Sequence, residues 1–200
     1  MTTRTPDLWS TDDTSAWTAA LERYDDVIRA QGVKPLPELE RWYAYELPPA
    51  IASRTPPHVT HDELVRVTEW KMARGIWRAR NLALVRGNAP AAVTRASTEA
   101  LAAMPDPVKP IAALAKLDGV GPATASAVCA AAAPDVYPFF DELVAAQVPG
   151  LGAVDFNVKY YARYADALRA RAAKLGRGWT PAAVERALWS NAGGKKGVRG

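Results

Sequence analysis

The chain has little of what most metal or redox sites need: one cysteine and two histidines in 200 residues. A lone thiol, Cys129, excludes an intramolecular disulfide and any metal site built on cysteines. The histidines, His58 and His61, sit three apart ahead of a helix with no clear carboxylate or thiol beside them. They read as loop and cap residues, not as a metal pair. No apolar run approaches the length needed to span a membrane. The opening residues, Met1 to Pro6, are polar and carry no apolar segment of the signal type. A cytoplasmic protein with no membrane partner is the expectation. Period-two alternation is absent, which excludes a fold built on sheets, and no internal repeat is visible.

The apolar fraction of 49% is ample for a packed core. At this length the chain fits one domain, or two small helical lobes sharing a cleft. The net charge of +4 is too modest to name a nucleic-acid partner by itself. Helical patterning runs nearly throughout, so the predicted fold class is all-α. Residues 1–13 read as disordered. A helix is expected over 15–31, with Trp17, Leu21, Tyr24 and Ile28 on one face and Gly32 as its stop. A short helix follows over 37–47, then a proline-rich loop over 48–57. Thr60 opens the next helix, with Glu63 at capping-box spacing. Further helices are expected near 78–87, 90–103, 107–116, 122–133, 141–147, 155–175 and 181–191. Thr180-Pro181 supplies cap and first turn for the last of these. From Gly193 the chain reads as a flexible basic tail, residues 193–200.

One stretch carries more information than the rest: Leu117-Asp118-Gly119-Val120-Gly121-Pro122-Ala123-Thr124-Ala125. Two glycines two apart, closed by a helix-starting proline, make a turn whose backbone N–H groups can face outward. A turn of this kind at a helix N-terminus is a ready site for an anion such as DNA phosphate. The bland alternative is a helix–helix connection that uses glycine for tight packing. Asp141 lies 24 residues beyond Leu117, after the helix break Pro134 to Pro138. It is a candidate N-cap, with Phe139-Phe140 before it as a hydrophobic staple.

The stretch resembles the helix-hairpin-helix motif, here over about 107–133. The motif followed by an aspartate at this distance resembles the helix-hairpin-helix DNA glycosylase superfamily, of the endonuclease III and adenine glycosylase type. The close match covers residues 117–141, and a looser likeness in helix order covers about 60–195. The resemblance implies a bundle of two small lobes and a base-excision repair function on damaged or mismatched double-stranded DNA. It makes Asp141 the catalytic carboxylate and gives Gly119, Val120, Gly121, Ala123 and Thr124 the phosphate contact. The departures refine it. Ala123 occupies the place of the lyase lysine, so the implied enzyme is monofunctional. One cysteine leaves no iron–sulfur cluster. No cofactor is expected, save room for a monovalent cation at the hairpin. Leu143 and Ala146 stand where a polar residue and an arginine are usual.

Between residues 66 and 86 the charges are Arg66, Lys71, Arg74, Arg78, Arg80 and Arg86 against Glu69 alone. A helical wheel over 65–83 gathers Val65, Met72, Ile76, Ala79 and Ala83 on one side as a core stripe. Trp70, Lys71, Arg74, Trp77, Arg78 and Asn81 gather on the other. Lys71, Arg74 and Arg78 are thereby candidate DNA contacts, and Trp70, Trp77 and Phe139 candidate walls of a base pocket. The alternative is that the tryptophans are core and the cations solvated. Gly75 is placed where it could end the helix and spoil the wheel. A second run, Lys159, Arg163, Arg169, Arg171 and Lys174, alternates with Asp155 and Asp166 and reads as a solvated face.

The expected function is hydrolysis of the N-glycosidic bond of a flipped base, leaving an abasic site, by a protein that in a bacterium would be nucleoid-associated. Its rival is a non-catalytic nucleic-acid-binding protein that kept the clamp and lost the chemistry. A helical protein-interaction domain with a structural Gly-Pro turn is the third reading.

Overall fold

The computed structural model describes residues 7–197. Every regular element among them is helical. Helix α1 (Thr14–Glu22) starts on Asp13, whose carboxylate accepts from the Ser15 N–H at 3.0 Å. The single helix expected over 15–31 is broken at Arg23 into α1 and α2 (Tyr24–Ala30), with neither proline nor glycine at the break. The bend serves packing: α1 lies on α12 (Pro181–Asn191), whereas α2 reaches both α12 and α3 (Leu36–Tyr45). The proline-rich loop begins later than expected. Pro48 and Pro49 sit in the first turn of α4 (Leu47–Ala52), where a missing N–H costs nothing.

The capping box of α5 (His61–Arg74) forms as its spacing demands: the Glu63 N–H donates to Thr60 Oγ1, and the Thr60 N–H donates to the Glu63 carboxylate. Arg54 adds a two-pronged ion pair to Glu63, at 2.9 and 2.7 Å. Gly75 then ends α5, so the wheel drawn over 65–83 spans two helices, α5 and α6 (Ala79–Gly87), and its faces do not persist. Ile76, Ala79 and Ala83, assigned to a core stripe, are exposed. Helices α7 (Pro90–Ala102), α8 (Lys109–Leu114) and α9 (Pro122–Ala132) complete the middle of the chain. α9 is buried from Ala123 to Ala131. Its short side chains admit α4, α5 and α8 against it, and Tyr43 anchors it by donating to the Ala127 carbonyl at 2.6 Å.

After α9 come α10 (Glu142–Ala145), α11 (Val158–Leu175) and α12. α12 packs against α11, α1 and α2, while α5 to α9 pack among themselves. α3 and α4 join the sets by touching α5 and α9. The chain between α9 and α10 runs where these sets meet, and the candidate site lies there.

Both termini depart from expectation. Residues 1–6 and 198–200 of the two expected disordered ends lie outside the described residues. Leu8–Ser10 form a 3-10 turn with Leu8 buried. Arg171 holds that turn through the carbonyls of Trp9 and Thr11 and the carboxylate of Asp12, and its guanidinium lies 4.7 Å from the Trp9 ring centre. Arg171 is therefore not on a solvated face. At the other end Gly193 and Gly194 are buried against Gln31, which receives the Lys196 N–H and donates to the Gly193 carbonyl. A Cβ on Gly194 would meet Gln31 at 2.6 Å and Trp189 at 2.7 Å. Close packing fixes Gly193 and Gly194, where composition marks the start of a flexible tail. No helix among the described residues is long and apolar enough to cross a membrane.

Candidate nucleic-acid interface and active site

The turn between α8 and α9 is built by two glycines used for different reasons. Gly119 has φ +73, and a Cβ there would lie 2.6 Å from the Asn81 carbonyl and 2.8 Å from Leu84 Cβ. Its role is close packing onto α6. Asn88 fastens the same turn by exchanging hydrogen bonds with the Asp118 backbone at 2.9 and 3.0 Å. Gly121 has φ −92, is exposed, and a Cβ there would meet nothing within 4 Å. No side chain caps the start of α9. The side chains of Val120, Ala123 and Thr124 are buried, so what this turn offers a ligand is backbone N–H.

Asp141 is the N-cap of α10, and its two oxygens do different things. Oδ1 accepts from the Leu143 N–H at 2.8 Å. Oδ2 stands 3.7 Å from Arg74 Nε, a buried nitrogen with no hydrogen-bond partner. Helix cap and ion-pair partner of Arg74 thus coexist in one residue. Asp141 lines a cavity of about 80 Å³ together with Lys71, Arg78, Ala123, Phe139 and Lys195. Leu143 and Phe156 add apolar wall to it.

Two assignments need correction. Arg74, expected to touch DNA, is 2% exposed. Nη1 donates to the Tyr24 hydroxyl at 3.1 Å and Nη2 is ion-paired with Glu185. The guanidinium sits 4.5 Å from the Trp189 ring centre and 5.2 Å from that of Phe139. Burial works against its charge, but Glu185, Tyr24 and Asp141 outweigh it and raise the Arg74 pKa. Burial likewise pushes the Glu185 carboxyl up to about 7, against the pull of Arg74. Trp70, expected to stack on a base, is 1% exposed and stacks on Tyr43, ring centres 3.7 Å apart. Its Nε1 donates to Glu40 at 2.6 Å. Both corrections have one cause: α5 lies at the edge of its set where the two sets meet, so the face that a single-helix wheel leaves to solvent is covered by α3, α9 and α12.

The remaining candidates divide. Phe139 is buried, touches Trp70 edge-on and forms cavity wall. Lys71 and Arg78 line the cavity, and burial, with Arg78 nearby, lowers the Lys71 pKa. Trp77 is 55% exposed and does not line the cavity. Three contributors escaped the sequence reading: Glu185, Tyr24 and Lys195. Lys195 donates to the Gly75 carbonyl at 2.8 Å and so closes the cavity from the far end of the chain. The glycine pair before it was the available signal, since paired glycines permit tight burial as well as flexibility.

A larger cavity, about 520 Å³, lies beyond Arg74 and Phe139, which line both. Its walls include Tyr43, Pro48, Ala131, Glu185 and Arg186, and it contains neither Asp141 nor the α8–α9 turn. Cys129 is buried, and burial pushes its thiol up, away from nucleophilic use. Among the described residues no cluster of three His, Cys, Asp or Glu could hold a metal ion. The chain matches no protein-family model, no curated protein and no solved structure, so the site is read from its own residues.

Proposed function

We propose that this protein binds double-stranded DNA through a helix-hairpin-helix clamp and hydrolyses the N-glycosidic bond of a damaged or mismatched base, as a monofunctional, glycosylase-like repair enzyme. One observation carries the reading. Asp141, whose Oδ2 faces Arg74, lines a cavity that Ala123 of the first turn of α9 and the cations Lys71, Arg78 and Lys195 also line. The hairpin amides grip phosphate beside the extruded nucleotide, and the three cations balance the backbone charge. Asp141 Oδ2 then stabilises the cationic sugar that forms as the base departs, and it orients water toward C1′. Leu143, Phe139 and Phe156 lower the local polarity and strengthen that electrostatic effect. Ala123 cannot form a Schiff base, so the product from this site is an abasic strand. At about 80 Å³ the cavity is smaller than usual ligand pockets, so base entry requires its rim to move.

The bond from Leu143 N–H to Asp141 Oδ1, with Leu143 and Ala146 in place of polar neighbours, favours a second reading: a clamp without chemistry. Base release from duplexes carrying uracil, oxidised, alkylated or mismatched bases separates the two. Release by wild type that Asp141→Asn loses supports the enzyme. Salt-sensitive DNA binding with no release from any duplex leaves the clamp.

A further inference from the structure

We propose that the cavity of about 520 Å³ beyond Arg74 binds a small organic acid, its carboxylate paired with Arg186 and its apolar body held against α4 and α9. This site is separate from the proposed DNA contact and does not depend on it. Arg186 is the exception among the arginines. Arg54, Arg66, Arg74, Arg169 and Arg171, the other buried or half-buried arginines among the described residues, are each ion-paired with a carboxylate. Arg186 is half-buried and has neither an ion pair nor a hydrogen bond among the described residues. Its guanidinium stands 5.6 Å from the Tyr24 ring centre. A cation withdrawn from water without a partner is costly, and a bound anion relieves that cost.

The rest of the lining sets the class of ligand. Its other polar side chains are already committed: the Tyr43 hydroxyl donates to the Ala127 carbonyl, Trp70 Nε1 donates to Glu40, and Thr180 Oγ1 accepts from the Ala183 N–H. Arg74 and Glu185 hold each other. One cationic fork thus stands unpaired in a wall otherwise made of Leu21, Phe139, prolines and alanines. Such a lining offers one point of attachment for an anion and apolar surface for the remainder, and the volume is that of an ordinary ligand pocket. A planar carboxylate suits the guanidinium fork, whereas Glu185 in the same wall opposes a more highly charged group such as phosphate. Exposed Pro49 and Ala52 mark the mouth. Arg186 also borders a cavity of about 250 Å³, but Asp25 and Glu40 line that one and disfavour an anion there. The other cations of the smaller cavity, Arg29 and Arg41, are already paired with Asp26 and Glu46.

The test is calorimetric titration, without DNA, of 2-naphthoate, 4-phenylbutyrate and octanoate, each beside its neutral amide and beside inorganic phosphate. At least one acid should bind wild type, more than about tenfold tighter than its amide, since the charged hydrogen bond is lost in the amide. Arg186→Gln should weaken the acid by a similar factor and erase its advantage over the amide. Ala183→Leu, which fills the cavity, should abolish binding of both, with circular dichroism confirming that each variant is folded. The acid-against-amide comparison on wild type tests the proposal even if a variant fails to fold. No binding by any acid at millimolar concentration overturns the site. So does an acid that binds Arg186→Gln as it binds wild type, or one that its amide equals. Phosphate binding as tight as the acids would overturn the apolar part, leaving an anion contact only. None of these outcomes bears on the DNA reading, which the base-release experiment tests separately.

Discussion

At the scale of single residues, the site is organised by a buried arginine and not by the aspartate it serves. Arg74 joins Glu185 and Asp141, which belong to different elements, and four aromatic rings surround it. Removing it leaves Glu185 buried and unpaired. Arg74→Ala is therefore expected to cost about 3–5 kcal/mol of folding stability, measured by denaturant titration. A loss below 1 kcal/mol would show that the pair is not buried as described. Glu185 provides a pH test. Its folded-state carboxyl is raised from 4.5 to about 7 by burial. Stability from this group is full below its ordinary range and is lost as pH rises through about 7. Melting temperature should fall between pH 5 and pH 8 on this account, and Glu185→Gln should flatten the fall. An unchanged slope in the variant assigns the pH dependence elsewhere.

At the scale of elements, the two hairpin glycines predict opposite phenotypes. Gly119→Ala places a Cβ against α6 in a left-handed backbone. It should destabilise by more than about 1 kcal/mol. Gly121→Ala meets open space at φ −92 and should leave stability within about 0.5 kcal/mol. On the clamp we propose, it should instead weaken DNA binding, because the new methyl would stand between phosphate and the first amides of α9. Paired thermal melts and binding isotherms check this contrast. A Gly121→Ala protein that binds as wild type would reduce the turn to a packing device.

At the scale of the whole molecule, the described segments near both ends, Leu8–Asp12 and Gly193–Lys196, are structural. Removing residues 1–12 takes away buried Leu8 and the Asp12 partner of Arg171, and the melting temperature should drop. Calorimetry on the truncated chain decides whether this end is the loose arm that its composition suggests. The C-terminal turn makes a similar point, because Lys195 reaches the candidate cavity only when Gly193 and Gly194 are packed on Gln31 and Trp189.

Features governed by near neighbours in the chain were legible from the amino acids alone. The Thr60–Glu63 box, the Thr180-Pro181 start, the Asp141 cap and the Gly-Pro entry to α9 need only residues within one turn of each other. The helical class follows from the same local periodicity. Which face of α5 is covered could not be read that way. The partner of Arg74 is 111 residues distant, and Lys195 meets Gly75 across 120. A helical wheel sorts side chains by direction, but it does not say how many sides of a helix find neighbours. Sequence fixes periodicity, caps and turns because those energies are paid within a few residues; burial is a property of everything that packs around a side chain, and so the tertiary structure alone decided that Trp70 and Arg74 belong to the core and Trp77 to the surface.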